Sequence, residues 1–237
     1  MATFVLVHGA WTGAFAFRRV RQLLQAQGHE VFTPSLTGIG DRAHLASPIV
    51  DLSTHVRDVV NLVLYEDLKD VVLLGFSYGG FVVTGALEHI ADRVAHLVYL
   101  DAFVPERSGD SVFAQHGRPD RAPAQIGEPW LAPPPQRHFD SAEEGAWIAA
   151  RRTPQPIATL VEPVYVAQPV EDYPFTRTYI FASAKPSEEM VLTTLEKSAA
   201  RARSSTAWCY FEIETSHMVA SNRPVELTEI LLSLLRR

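Results

Sequence analysis

The ten residues Val71-Val72-Leu73-Leu74-Gly75-Phe76-Ser77-Tyr78-Gly79-Gly80 constrain this chain more than any other stretch. Val71 to Phe76 is an apolar run of the kind expected for a strand buried on both faces. It runs into Gly75-x-Ser77-x-Gly79, and Phe81 to Ile90 then reads as a helix. A serine in that setting sits on a sharp, strained turn. Small flanking residues let strand and helix approach, the hydroxyl is lifted above the end of the sheet, and the N–H groups of the following helix point at the same spot. The bland alternative is a glycine-rich turn with an idle serine. The strand before and the helix after favour a catalytic Ser77.

The rest of the chain repeats strand, turn and helix. Phe4 to His8 reads as a central strand ending in the turn His8-Gly9-Ala10-Trp11. Phe17 to Gln27 is amphipathic, and Gly28 is placed to cap it. Val31-Phe32-Thr33 is a short strand, Leu36 to Arg42 a loop, and Leu52 to Leu64 a helix with Ser53 or Thr54 as N-cap. Val94 to Ala102 is the strand after the serine helix. From Pro105 the chain becomes proline-rich, and Pro133-Pro134-Pro135 excludes a regular helix or central strand there. Ala142 to Arg152 is a short helix within that stretch. Sheet texture returns at Thr178 to Ala182, followed by a helix at Ser187 to Arg203, a strand at Trp208 to Ile213 and a closing helix at Pro224 to Leu235. Alternating strands and helices imply a doubly wound α/β fold with a mainly parallel sheet of about six strands. Residues 1–104 and 177–237 form the core on this reading, and 105–176 a helical cap inserted between two strands.

Composition sets the outer limits. The length of 237 residues suits one α/β domain with an insertion. A formal charge of -6 argues against nucleic acid or anionic membrane as partners. The single cysteine, Cys209, cannot form an internal disulfide; it reads as a core residue and suits a reducing, cytoplasmic compartment. The N-terminus lacks the basic region of a signal peptide, and no apolar run reaches the length of a membrane span. The nine histidines lack zinc-like spacing, so no metal is expected.

Sites in parallel α/β sheets lie beyond the carboxyl ends of the strands. His8-Gly9-Ala10, Ser77, Asp101 and His217 all fall at such ends. A serine needs a base to take its proton, and histidine is matched to neutral pH. His217 follows the last strand, from where it can reach back over the sheet edge. His8 reads instead as a structural hydrogen-bonder, His29 and His96 lie at strand starts, and His55 and His89 fall in helices as surface or packing residues. His44, His116 and His138 fall in loops or in the inserted segment, as candidates for substrate contact. Negative charge developing on a substrate carbonyl needs two backbone donors. Tyr78, just after the serine, and Ala10, in the first turn, are the candidates. For the latter the bland alternative is a tight connection that needs only Gly9.

The stretches Phe4 to Trp11, Leu74 to Gly80, His96 to Pro105 and Ser216-His217-Met218 resemble, in order and spacing, the α/β-hydrolase group that includes plant methylesterases, plant hydroxynitrile lyases and small bacterial esterases. The likeness spans nearly the whole chain and is loosest in the inserted segment. It implies a core beginning at the third strand of the full fold, a helical cap and, in many members, a homodimer. The lyases of that group carry threonine where this chain has Gly9 and lysine where it has Met218, which favours the esterase branch. The group also takes its triad acid from the loop after the strand that follows the cap, where this chain has Lys185. Asp101, at the end of the strand after the serine strand, is the first alternative, Glu188 or Glu189 the second, and a histidine with no acid partner the third.

The expectation is a serine hydrolase without cofactor that cleaves a small carboxylic ester, thioester or lactone through an acyl-enzyme. Ser77, His217 and Asp101 are its catalytic candidates, and Ala10 and Tyr78 its oxyanion donors. Trp11, Phe103, Trp130, Phe139, Trp147 and Met218 are candidates for the substrate pocket, the aromatics being equally suited to packing. The alternatives are a small-molecule binding protein on the same fold, and a lyase or cyclase using the same pocket.

Overall fold

A computed structural model describes residues 1–117, 130–186 and 193–236. Its centre is a six-stranded parallel sheet in the order β2-β1-β3-β4-β7-β8. The strands are β1 (Thr3–Val7), β2 (Glu30–Phe32), β3 (Val71–Phe76), β4 (Val94–Leu100), β7 (Thr176–Ala182) and β8 (Cys209–Ile213). A two-stranded antiparallel pair, β5 (Leu131–Ala132) and β6 (Gln155–Pro156), lies outside it. Every residue of β3 is buried, as its apolar run requires. Side chains alternate between the faces. Val5, Leu73, Leu97 and Tyr179 enter one core cluster, while Phe4, Leu6, Leu74, Val98 and Ile180 enter the other.

Helices cover both faces, because a sheet apolar on both sides must be buried on both. The first cluster packs beneath α2 (Leu52–Tyr65), α3 (Gly79–Ile90) and α7 (Thr193–Arg203). The second packs beneath α1 (Arg18–Ala26) and α9 (Pro224–Leu234). A short helix, α8 (Val219–Asn222), precedes α9 and was not evident in the sequence pattern. Gly28 has φ +80 and ends α1, with His29 N–H donating back to Leu24 O. The N-cap of α2 is Asp51, not Ser53 or Thr54: its carboxylate accepts from Thr54 N–H at 2.7 Å. A carboxylate one turn earlier outcompetes the hydroxyls because it carries charge at the positive end of the helix.

β2 lies on one side of β1, while β3 and all later sheet strands lie on the other. The topological switch therefore falls between β1 and β3, whose ends carry the His8–Trp11 turn and Ser77. Between β4 and β7 the described residues form short elements: α4 (Val112–Gln115), β5, α5 (Ala142–Ala149), β6, α6 (Ala158–Val161) and a 3-10 turn at Val170–Asp172. Cys209 is half-buried on the outer strand β8 rather than in the core. The expected start of the helix at Ser187, with Glu188 and Glu189, lies outside the described residues. No described helix is long and apolar enough to cross a membrane.

Candidate active site

Ser77 has φ 54, the left-handed region that a non-glycine residue enters only when its surroundings hold it there. Its neighbours explain why. A Cβ on Gly75 would lie 2.6 Å from Gly79 O, one on Gly79 2.8 Å from His8 O, and one on Gly80 2.1 Å from Phe103 O. Strand, turn and helix thus meet backbone to backbone, which only glycine permits. Ser77 N–H donates to Leu100 O at 3.2 Å and Phe103 N–H to Ser77 O at 3.2 Å, tying the turn to the end of β4.

The register aligns the other groups. Phe76 pairs with Leu100, and Leu100 with Ile180, so Ser77 and Asp101 each stand one residue past the edge of adjacent strands. His217, from the loop after β8, lies over both. Its Nε2 is 3.0 Å from Ser77 Oγ, and its Nδ1 is 2.7 Å from Asp101 Oδ2. An ionised carboxylate only accepts, so Nδ1 carries the proton and Nε2 accepts from the serine hydroxyl. The Phe76 ring packs against the imidazole with centroids 4.7 Å apart. Burial drives the His217 pKa below the ordinary imidazole value, while the Asp101 carboxylate works against that shift.

Asp101 is fully buried and has φ 39, a second strained residue at the sheet edge. Its Oδ1 accepts from Ala182 N–H at 3.2 Å and from Lys185 Nζ at 2.9 Å. The lysine noted at the place of the missing acid is therefore the partner of the carboxylate that is present. Nothing in the spacing of these two residues reveals the pairing, since it depends on β4 and β7 being neighbours.

The first turn packs against the serine: a Cβ on Gly9 would lie 3.0 Å from Ser77 Cβ and 3.1 Å from the Phe76 ring. Trp11 has φ 61, and its N–H donates to Gln155 Oε1 at 3.0 Å. The Trp11 indole donates to Ala132 O at 2.9 Å. Gln155 is fully buried and donates in turn to Thr159 Oγ1 at 2.7 Å. The Tyr78 side chain is buried, with its hydroxyl 2.9 Å from His55 Nδ1, and His55 Nε2 lies 2.7 Å from Thr37 O. His55 is thus a fully buried hydrogen-bonding residue, not a surface one; its position on the inner face of α2 was the available signal. His8 behaves as expected. Nδ1 lies 2.8 Å from Gly9 O, and Nε2 accepts from Leu36 N–H at 3.0 Å. Burial lowers the pKa of His8 and of His55 to about 4.

The other candidates disperse. Phe103 is buried against Phe81 and meets His116 edge-on. Met218 is buried in the second core cluster. Phe139 packs on that cluster's rim. Trp130 is half-buried, and its carbonyl accepts from Ile157 N–H. Trp147 meets Phe15 edge-on, and the Arg18 and Arg151 guanidinium carbons lie 4.1 and 3.9 Å from its ring centroid. It acts as a packing piece between α5 and α1. No cluster of three or more His, Cys, Asp or Glu that could hold a metal occurs among the described residues.

A fold of this order with a serine, histidine and carboxylate in line at the strand ends defines a hydrolase-like architecture. The family model described as the alpha/beta hydrolase family matches residues 4–230. The chain belongs to that family. It is 41% identical over 183 residues to a carbendazim hydrolyzing esterase of Nocardioides sp., covering 70% of this chain and 74% of that protein. Methylesterase 8 of Arabidopsis thaliana is 32% identical over 112 residues, which is 46% of this chain and 41% of the methylesterase. The match to the plant protein thus spans less than half of either. Among solved structures, a methylesterase from Arabidopsis superposes with a TM-score of 0.76 at 22% identity, covering 100% of this chain and 99% of that one. At that identity the likeness speaks for the fold alone. Both sequence relatives are named as esterases, which supports ester hydrolysis as the coarse class of activity.

Proposed function

We propose that this chain is a serine esterase that cleaves small carboxylic esters through an acyl-enzyme on Ser77 and needs no cofactor. The carrying observation is the hydrogen-bonded line from Ser77 Oγ through His217 to Asp101. In this reading Ser77 Oγ attacks the ester carbonyl as His217 Nε2 takes its proton. Asp101 supports the imidazolium and keeps the correct tautomer, and His217 returns the proton to the departing alcohol. The Ala10 and Tyr78 N–H groups receive the developing oxyanion, where a single donor is worth roughly 3–4 kcal/mol. Water then repeats the sequence and releases the acid. The segment between β4 and β7 acts as a cap that shapes the acyl and alcohol sites and excludes water.

Two features support hydrolysis over the lyase branch. A threonine in place of Gly9 would put its Cβ 3.0 Å from Ser77 Cβ and 3.1 Å from the Phe76 ring, crowding the nucleophile. Met218 follows the histidine and brings no charge that would hold an anionic leaving group. The decisive experiment is labelling with a fluorophosphonate probe. Wild type should label and Ser77→Ala should not. A folded wild type that fails to label would refute the acyl-enzyme, and with it favour a binding protein or a lyase. A panel of p-nitrophenyl esters of increasing acyl length then defines the acyl site.

A further inference from the structure

We propose that Lys185 is a positioning residue for this reaction: its ammonium fixes the Asp101 carboxylate so that Oδ2 faces His217, and its charge sets how readily the imidazole accepts the serine proton. The inference rests on the serine esterase reading above. The pairing of β7 with β8 continues past the strands, with Ser183 N–H donating to Ile213 O and Ala184 N–H to Thr215 O, both at 3.0 Å. That extension carries the chain to the sheet edge and places Lys185 Nζ 2.9 Å from Asp101 Oδ1.

Lys185 is held there on every side. Its Nζ also donates to Ala182 O at 2.5 Å and stands 3.7 Å from the centroid of the Phe181 ring. An ammonium has three N–H donors, and a carboxylate, a carbonyl and a ring face occupy them. The side chain is 9% exposed and that of Asp101 is 0% exposed, so little water screens the pair. Stability alone does not account for it, since a buried ion pair is commonly no better than an apolar pair of the same volume. An apolar pair could not supply a carboxylate to His217. With Oδ1 occupied by Lys185 and Ala182 N–H, only Oδ2 is left to turn toward the imidazole.

The charge has its own consequence. His217 is faced by Ser77 and Phe76 from the end of β3, Asp101 from β4, Lys185 from the loop after β7, and Arg137 from the segment between β4 and β7. Asp101 is also near the phenols of Tyr179 on β7 and Tyr210 on β8. Burial lowers the His217 pKa most, Asp101 raises it, and Arg137 and Lys185 lower it. Lys185 offsets part of the attraction that Asp101 alone would exert on an imidazolium. The base stays neutral, and competent, to lower pH than an Asp–His pair without the lysine.

The test is the rate of fluorophosphonate labelling against pH, from 4.5 to 8.5, in wild type, Lys185→Met and Lys185→Arg. Lys185→Met should raise the midpoint of the acid limb and lower the plateau rate by about tenfold. Lys185→Arg keeps the charge and should hold the midpoint near that of wild type. A folded Lys185→Met protein with the wild-type midpoint and plateau would overturn the proposal, as would Lys185→Arg moving the midpoint as far as Lys185→Met does. Should Lys185→Met not fold, Lys185→Gln reads out the same quantity: an upward shift supports the role and an unmoved midpoint overturns it. A wild type that labels at no pH refutes the Ser77 reading itself. A labelled wild type beside an unmoved Lys185→Met refutes only the role of the lysine.

Discussion

The carboxyl edge of the sheet and the segment crossing from β4 to β7 hold their residues by different means. At the edge, Ser77 and Asp101 sit at positive φ, strained but surrounded by buried strand. Phe103 O lies so close to Gly80 that even a methyl group would collide with it. Among its described residues the crossing segment has no strand longer than two residues; Val112, Leu160 and Val164 anchor it in the first core cluster, and separate polar contacts hold the rest. Trp11 N–H binds Gln155, Gly40 N–H binds Thr153 Oγ1 at 2.8 Å, Arg18 pairs with Glu144 at 3.3 Å, and Asp140 N–H binds Asn222 Oδ1 at 3.1 Å. Each such contact is worth about 1 kcal/mol. The edge cannot be altered without strain, whereas the crossing segment can exchange one contact for another. That division fits the proposed chemistry at the edge beneath the proposed cap.

The strongest way to sharpen the contrast is Asp101→Asn. Asparagine keeps an acceptor for Lys185 but cannot support an imidazolium, and it favours the wrong tautomer of His217. We expect kcat on a p-nitrophenyl ester to fall by up to roughly 10⁴. The melting temperature should also drop, because Lys185 loses its counter-charge in a buried site. Near-normal turnover in a folded Asp101→Asn protein would move the acid elsewhere, Glu188 and Glu189 being the next carboxylates to replace.

The same contrast explains what could be read in advance. The strand Val71–Phe76 was legible because a strand buried on both faces is apolar throughout, and Gly75, Ser77 and Gly79 mark the turn because larger side chains would collide there. Asp101 was legible as a carboxylate ending the strand beside the serine strand. Lys185 was legible only as an anomaly. Its meaning depends on β4 and β7 being adjacent, which no local pattern encodes. His55 was hidden for a related reason, since its Tyr78 and Thr37 partners come from other elements. In the crossing segment the stabilising groups are scattered ones, polar side chains such as Gln155 and Thr153 and isolated core residues such as Leu160 and Val164, which carry no periodicity. Of the large aromatics there, Trp147 packs beside two arginines.

A second test concerns acid, and again it separates the two regions. His8 and His55 are buried beneath the edge with both ring nitrogens engaged, and their folded pKa values are about 4. An unfolded histidine titrates near 6.5. Above that pH neither state binds the proton, and the residues add no pH dependence. Between about 6.5 and 4 the unfolded chain is protonated and the folded one is not, so stability falls as pH falls, by about 1.4 kcal/mol per pH unit for each residue. Below about 4 the folded form takes up protons too, and this loss levels off. Urea unfolding at pH 7 and pH 4.5 should therefore show a smaller loss for His55→Gln than for wild type, by about 2–3 kcal/mol. Equal losses would mean that His55 is not held neutral in the fold.

The smallest expected effect comes from the crossing segment, at Gln155. Its amide accepts from Trp11 N–H and donates to Thr159, a buried neighbour of the Tyr78 phenol. Gln155 thereby connects the turn carrying Ala10 with the residue after the serine, the two proposed oxyanion donors. Gln155→Leu preserves much of the side-chain volume but leaves the Trp11 N–H without its acceptor. That should cost about 1–3 kcal/mol of stability, or roughly 2–4 °C of melting temperature for each kcal/mol in a chain of this size. The turn remains braced by Gly9 against Ser77 and by the Trp11 indole on Ala132 O. Catalysis should accordingly suffer less than it would from losing an oxyanion donor outright: a fall in kcat/KM of about tenfold or less, against roughly 10²–10³. Steady-state kinetics beside a thermal melt separate the two effects. A loss beyond about a hundredfold at near-normal stability would show that the crossing segment sets the oxyanion geometry, and the division between rigid edge and adjustable cover would fail at its central contact.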